Sequence, residues 1–295
     1  MSAYKTMAVL GCGTMGTAIL SGVLDCRHSQ EEGAQPFAPS DGETVPLPEK
    51  YIATVNRAES KRRLESTFQE EGHDVEVLVQ DNVEASRRAD VILVCCKPQL
   101  LPVVLQEEGM QEALKDKLLI SIAAGTTISK IEGYAPSARV VRAMPNTPSK
   151  IREGMTVVSH LPKNSSTSDR ALLNTIFSAV GRCRFLDEKH FDAATALAGS
   201  GPAFTTLFLE AMTDGGVMMG LPRSEALELA AQTIQGAARM VLQTGRHPAA
   251  IKDSVTTPGG CTIAGLLQME DGKLRSTVAR SIQTAAEHAA GLGKH

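Results

Sequence analysis

Near the C-terminus, the run Asp253-Ser254-Val255-Thr256-Thr257-Pro258-Gly259-Gly260-Cys261-Thr262-Ile263-Ala264-Gly265 joins hydroxyl side chains to a Pro-Gly-Gly turn between two stretches of helical character. Glycine lacks the Cβ that blocks positive φ, so backbone N–H groups in such a loop can converge on a small anion. The hydroxyls of Thr256, Thr257 and Thr262 add donors. The same residues also make a plain helix-to-helix turn, with Pro258-Gly259 forming the bend and Thr262 capping the next helix.

A second run at the other end of the chain has a more defined chemistry. Met7-Ala8-Val9-Leu10 is a short apolar strand, Gly11-Cys12-Gly13-Thr14-Met15-Gly16 is a glycine turn, and Thr17 to Leu24 has helical periodicity. In that strand–turn–helix context the spacing G-x-G-x-x-G is a dinucleotide-binding signature. The first glycine allows the tight turn, the second lets a pyrophosphate approach, and the third lets the helix pack on the strand. The phosphates then sit at the helix N-terminus, where unpaired N–H groups and the dipole favour an anion.

These groups need a scaffold. Further apolar runs occur at Tyr51 to Val55, Val75 to Val79, Val91 to Cys96, Leu118 to Ala123 and Val140 to Met144, with helical character between most of them. This alternation predicts an α/β Rossmann-type domain with a mostly parallel sheet, helices on both faces and a ligand beyond the C-terminal strand ends. Leaving those ends are Asn56-Arg57, Asp81-Asn82, Lys97-Pro98, Ala123-Ala124-Gly125 and Pro145-Asn146-Thr147-Pro148, each an ordinary loop alone but together placed to line one crevice. At the end of the second strand an NAD-binding domain carries Asp or Glu for the ribose 2′-hydroxyl; this chain has Val55-Asn56-Arg57 instead. An acid would repel a 2′-phosphate, whereas Asn56 can donate to it and Arg57 can pair with it, so NADPH is favoured and NADH remains possible. The competing reading of these two residues is a solvated helix start.

Residues 28–50 interrupt the first βαβ unit with four prolines, several acids and few apolar groups, which reads as a surface insertion forming an irregular or mobile loop. After about residue 162 the alternation stops and helix-like segments follow. We therefore expect a dinucleotide-binding domain over residues 1–162 and an all-α substrate and dimerisation domain over 163–295. Ser200-Gly201-Pro202 opens one helix, closing around Gly220. Arg223 to Thr244 forms another, apolar around much of its circumference, and a helix with so little polar face is expected to be buried in its own domain or against a second chain.

The composition excludes several other functions. At 295 residues the chain has room for about two domains of ~150 residues. Its 42% hydrophobic residues, 21% charged residues and net charge of −3 describe a globular protein with no general attraction to nucleic acid or an anionic membrane. No apolar run approaches a membrane span and the N-terminus leads straight into a strand, which makes the cytosol the default compartment. The six cysteines show no C-x-x-C spacing, so reduced thiols and no metal site are expected. Cys95 and Cys96, adjacent in an apolar run, should point to opposite faces of a strand as core filler. His247, before Pro248, reads as a helix-start residue rather than a base.

The pairing of Gly11 to Gly16 with Val255 to Gly265 resembles the pyrroline-5-carboxylate reductase family. The likeness extends over nearly the whole chain through Lys97-Pro98, Ala123-Ala124-Gly125-Thr126, Met144-Pro145-Asn146-Thr147-Pro148, Leu197-Ala198-Gly199-Ser200-Gly201-Pro202-Ala203 and Met219-Gly220-Leu221-Pro222. Departures are the 28–50 insertion and Cys261, at a position the family often fills with Ala or Thr. The resemblance implies reduction of 1-pyrroline-5-carboxylate to L-proline by hydride from NADPH or NADH. The substrate carboxylate suits the Thr257 hydroxyl and the Gly260 and Cys261 amides, and its ring nitrogen suits the Thr262 hydroxyl, an orienting group rather than a strong acid. The resemblance also implies Glu188 near the substrate, Asn82 and Ser254 near the cofactor, the Pro-Gly-Gly loop at a dimer interface, and homodimers or assemblies of dimers. Two rivals are a β-hydroxyacid dehydrogenase, which would need a lysine base in the helical half, and a non-catalytic NADP sensor, which would have lost the substrate loop. None of Lys163, Lys189, Lys252, Lys273 and Lys294 sits in a catalytic setting, and the loop is intact.

Overall fold

The structure, a computed structural model, describes residues 4–31 and 45–292. The chain begins β1 (Thr6–Leu10), α1 (Thr14–Glu31), β2 (Lys50–Val55), α2 (Ala58–Glu70), β3 (Glu76–Val79), α3 (Asn82–Arg88) and β4 (Val91–Val94). It continues through α4 (Leu101–Leu105), α5 (Met110–Ala113), β5 (Leu118–Ser121), α6 (Ile128–Tyr134) and β6 (Arg139–Met144). Then come β7 (Gly154–Ser159), α7 (Thr167–Ser178), β8 (Gly181–Leu186) and α8 (Phe191–Ala194).

The strands form one sheet in the order β3-β2-β1-β4-β5-β6-β7-β8, parallel except where β7 runs antiparallel to β6. All six strands expected from the apolar runs are present. Side chains alternate across β1, so Met7 and Val9 enter one core with α1 and α7, and Ala8 and Leu10 enter another with α3 to α6. Cys95 and Cys96 follow the same alternation and pack against opposite cores.

Two strands escaped the sequence reading, and they move a boundary. β7–α7–β8 is a further crossover whose strands pair in parallel, so the alternation continues to Leu186 instead of stopping near 162. The chain accordingly divides after Gly199, with Ser200–Ala285 as one compact unit and the preceding chain, joined by residues from Ala286 onward, as the other. The expected division at 162/163 is therefore corrected. β8 hid because it alternates exposed Arg182 with buried Cys183, a half-polar pattern with no apolar run. Gly154 and Gly181 face each other across the β7–β8 pair; a Cβ on Gly181 would lie 2.0 Å from the Gly154 carbonyl oxygen.

Of the 28–50 insertion, residues 32–44 lie outside the described residues. Residues 28–31 continue α1, and residues 45–48 are irregular, as expected, but anchored. Leu47 is buried in the core beside α7, and the Val45 N–H donates to Thr175 Oγ1 at 3.3 Å. The sparse apolar residues of the segment were thus enough to fix its C-terminal end.

The second unit contains α9 (Gly201–Met218), α10 (Arg223–Thr244), α11 (Pro248–Ser254), α12 (Cys261–Asp271) and the start of α13 (Leu274–Leu292). Ser200 precedes α9 with Pro in its first turn, and α10 ends at left-handed Gly245, as the punctuation of the sequence requires. His247 caps α11, its Nδ1 accepting from the Ala249 N–H at 3.2 Å. α9 packs on α10 where Gly216 would bring a Cβ to 3.1 Å from that of Ala226. Only Ala226 and Ala230 of α10 are buried, while Leu227, Leu229, Met240 and Leu242 are exposed in the single chain. No helix among the described residues is long and apolar enough to cross a membrane.

Candidate functional site

The glycine turn has the three roles its spacing requires. Gly11 adopts φ +68°, and a Cβ there would lie 3.0 Å from that of Cys96, so the turn is pressed against the end of β4. Gly16 lets α1 close on the sheet, since its Cβ would meet Val9 and Cys95 within 3.3 Å. Gly13 is different: it is exposed, and the nearest atom to an added Cβ is the Gly11 carbonyl oxygen at 3.9 Å. Open space therefore stands before the N-terminus of α1, where Thr14 is exposed and the Met15 side chain packs inward against the core. Open space at Gly13 and first-turn N–H groups are what a pyrophosphate needs. Burial pushes the thiols of Cys12 and Cys96 up to about 11, which leaves them protonated spacers at neutral pH.

One polar relay beneath this turn was not foreseen. Buried Thr54 of β2 accepts the Gly11 N–H at 3.1 Å and donates its hydroxyl to Asn82 Oδ1 at 2.7 Å, while its carbonyl accepts the Cys12 N–H at 2.8 Å. With Oδ1 occupied, Asn82 has its amide nitrogen to offer a ligand. The signal was a hydroxyl inside an otherwise apolar strand, which demands a partner. Asn56 and Arg57 leave the C-terminal end of β2 exposed; Gln80 Nε2 donates to the Asn56 carbonyl at 3.1 Å, and Arg57 starts α2 without a capping side-chain bond.

Lys97 and Pro98 follow β4, Lys97 exposed and Pro98 opening a short 3-10 turn. After β5, Ala123 is buried with its methyl in the core, Ala124 is exposed, and Gly125 takes φ +69°. Only backbone groups of Ala123 can therefore face a ligand. After β6, Asn146 accepts the Met155 N–H at 2.8 Å and donates to the Ala198 carbonyl at 3.0 Å, holding the Pro145 to Pro148 loop against the π-helical turn Thr195–Gly199. Parallel pairing puts the strand ends before Gly11, Asn56, Asn82, Lys97 and Ala123 on one edge of the sheet, with the β1/β4 switch point among them.

Glu188 lies in the 3-10 turn Glu188–His190 after β8. Its Oε1 accepts the Ile128 N–H at 2.8 Å and faces Arg142 Nη1 at 3.2 Å. Arg142 is buried and its guanidinium lies 4.6 Å above the Phe191 ring. This arginine also escaped the sequence reading; a charge inside the run Val140 to Met144 was the available clue.

In the helical unit, Thr257-Pro258-Gly259-Gly260 forms a turn closed by the Gly260 N–H donating to the Thr257 carbonyl at 3.0 Å, with Gly259 at φ +68°. Gly260, not Thr262, is the N-cap of α12, and Thr262 occupies the second helical position. The capping reading of Thr262 is thereby removed. The Gly260 amide is occupied by the turn, so the donors left at the head of α12 are the Cys261, Thr262 and Ile263 amides. A Cβ on Gly260 would lie 2.5 Å from Thr257 Oγ1. Ser254 Oγ donates to the Ile251 carbonyl at 2.7 Å and Thr256 Oγ1 to that of Lys252 at 2.8 Å, so both hydroxyls also have local partners.

Comparison with known proteins bears on both units. Residues 188–292 match the family model described as pyrroline-5-carboxylate reductase dimerisation, and residues 6–125 match the one described as NADP oxidoreductase, coenzyme F420-dependent. A pyrroline-5-carboxylate reductase of Schizosaccharomyces pombe is 47% identical over 289 residues, covering 97% of this chain and 98% of its own. The crystal structure of the Plasmodium falciparum pyrroline carboxylate reductase with NADP bound superposes at a TM-score of 0.79 with 28% identity, covering 99% of each chain. The Coxiella burnetii pyrroline-5-carboxylate reductase superposes at 0.81, also with 28% identity, covering 98% of each.

Proposed function

The chain belongs to the pyrroline-5-carboxylate reductase family, and from that premise we propose that it reduces 1-pyrroline-5-carboxylate to L-proline with NADPH or NADH. The observation that carries the cofactor half of this reading is the open approach to Gly13 before the N-terminus of α1. The dinucleotide, when bound, supplies the hydride. Gly11, whose N–H is given to Thr54 Oγ1, shapes the turn, and Gly13, whose N–H is given to the Gly11 carbonyl, leaves the approach open. The amides of Thr14, Met15 and Gly16 hold the pyrophosphate, and Asn56 and Arg57 hold the 2′-phosphate. Asn82, Lys97, Pro98 and the Ala123-Ala124-Gly125 backbone wall the rest of its crevice, and Ser254 is read as a further cofactor residue. The Thr257 hydroxyl and the head of α12 at Cys261 hold the substrate carboxylate, Gly260 keeps that approach clear, and Thr262 orients the ring nitrogen. Glu188 lies beside the ring. The dehydrogenase and sensor readings are not favoured. Absorbance at the nicotinamide band tests the reaction directly: oxidation of NADPH should depend on a five-membered cyclic imino acid, and an inert protein would end this reading.

The chain carries a dimerisation domain of its family, and we read the exposed apolar residues of α10 as the surface that a second copy covers. Ile234→Glu should abolish assembly or folding, because a charge within such an interface is costly. An active monomer of the unaltered chain in light scattering would refute self-association. The cytosolic location read from composition is tested by cell fractionation.

A further inference from the structure

Arg142 is the wrong residue type for its place. β6 reads Arg-Val-Val-Arg-Ala-Met, and its second arginine stands between buried Val141 and Ala143 with 6% of its side chain exposed. A guanidinium so placed is tolerated when it is paired, and a well-packed apolar residue would serve stability equally well. Its partners are specific. Nη1 lies 3.2 Å from Glu188 Oε1, the guanidinium lies over the Phe191 ring at 4.6 Å, and the backbone N–H donates to Ser159 Oγ at 3.0 Å.

Glu188 is held from a second side. The Ile128 N–H, three residues beyond Gly125, donates to the same Oε1 at 2.8 Å. Both contacts fall on Oε1, and the carboxylate is 31% exposed, which leaves it open to a ligand at its second oxygen. The turn carrying Glu188 has no capping side-chain bond of its own to fix the residue.

We propose that Arg142 is the positioning residue of the substrate site: it clamps Glu188 Oε1 against the start of α6 so that Oε2 meets the ring nitrogen of the cyclic imine. The proposal rests on the reading that Glu188 lies beside the substrate. A protonated imine carries its charge on that nitrogen, and a fixed carboxylate oxygen gives it a charge-assisted hydrogen bond. A mobile carboxylate would lose that geometry while NADPH binding stayed intact.

The test is a double-mutant cycle of Glu188→Gln and Arg142→Gln, with Arg142→Lys as a third variant, read by kcat/KM for pyrroline-5-carboxylate, NADPH affinity and thermal melting. Each single glutamine variant should lower kcat/KM at least ~10-fold with NADPH affinity within ~2-fold, the double should be no more than ~3-fold worse than Glu188→Gln alone, and lysine should restore part of the loss. Multiplying losses in the double, or a lower melting temperature with unchanged kcat/KM in Arg142→Gln, would reduce Arg142 to a structural staple and overturn the inference while leaving Glu188 in place. An unchanged kcat/KM in Glu188→Gln would remove Glu188 from the substrate and overturn both. If Arg142→Gln does not fold, Arg142→Lys carries the cycle: its loss should vanish in the Glu188→Gln background, and persistence of that loss counts against the clamp.

Discussion

The two glycine loops begin from the same backbone conformation and differ in everything around it. Gly11 and Gly259 both take φ +68°, but Gly11 is pressed against Cys96 while nothing lies within 4 Å of a Cβ placed on Gly259. Around Gly11 a buried hydroxyl relay through Thr54 and Asn82 fixes the turn from below. Around Gly259 the hydrogen bonds are local, from Thr256 back to Lys252 and from Gly260 back to Thr257. A loop that must present phosphate-binding amides in one rigid arrangement is built into a core. The Gly259 turn, which we propose holds a small substrate, keeps its donors at the surface instead.

Substitution can break that contrast. Gly11→Ala adds left-handed strain of ~1–2 kcal/mol to overpacking of ~1–3 kcal/mol against Cys96, so it should lower the denaturation midpoint sharply and take NADPH binding with it. A stable Gly11→Ala protein would mean that the β4 contact yields. Next in size is Arg57→Ala, which removes a charge-assisted contact of ~1.5–3 kcal/mol and should weaken NADPH use roughly 10- to 100-fold with little effect on NADH. Equal losses for the two cofactors would show that Arg57 only faces water. Thr262→Ala should cost at least ~10-fold in kcat/KM, about 1.4 kcal/mol, with melting unchanged because Gly260 caps α12. Normal turnover in that variant would place the substrate elsewhere. The smallest stability effect should come from Gly259→Ala, where only the strain of ~1–2 kcal/mol remains; chemical denaturation beside Gly11→Ala measures the difference that packing makes.

How much of this was visible in the sequence followed from how local each feature is. Six strands and the glycine turn were legible because apolar runs and G-x-G-x-x-G spacing are contiguous. α10 was legible to both its ends, Arg223–Thr244, because Pro222 and Gly245 punctuate it. The Thr54–Asn82 relay and the Arg142–Glu188 pair were not, since each joins residues far apart in the chain. Their trace was a polar residue inside an apolar strand, a signal that says a partner exists without saying which. Thr262 was open between cap and ligand because hydroxyl spacing fits both; the turn that makes Gly260 the cap depends on backbone angles that composition does not specify.

The facing pair Gly154 and Gly181 bears on how the chain avoids pairing its strands wrongly. β8 ends the strand order, and a parallel pair must wait for its crossover helix before it can zip. Shifting β8 by one residue would bring Met155 or Arg182 into a space where an added Cβ already meets backbone at 2.0 Å, and would turn Arg182 and Arg184 toward the positions of Cys183 and Phe185. The two glycines thus act as a steric key: an out-of-step edge strand is rejected at its first residue, before its remaining hydrogen bonds can stabilise the error.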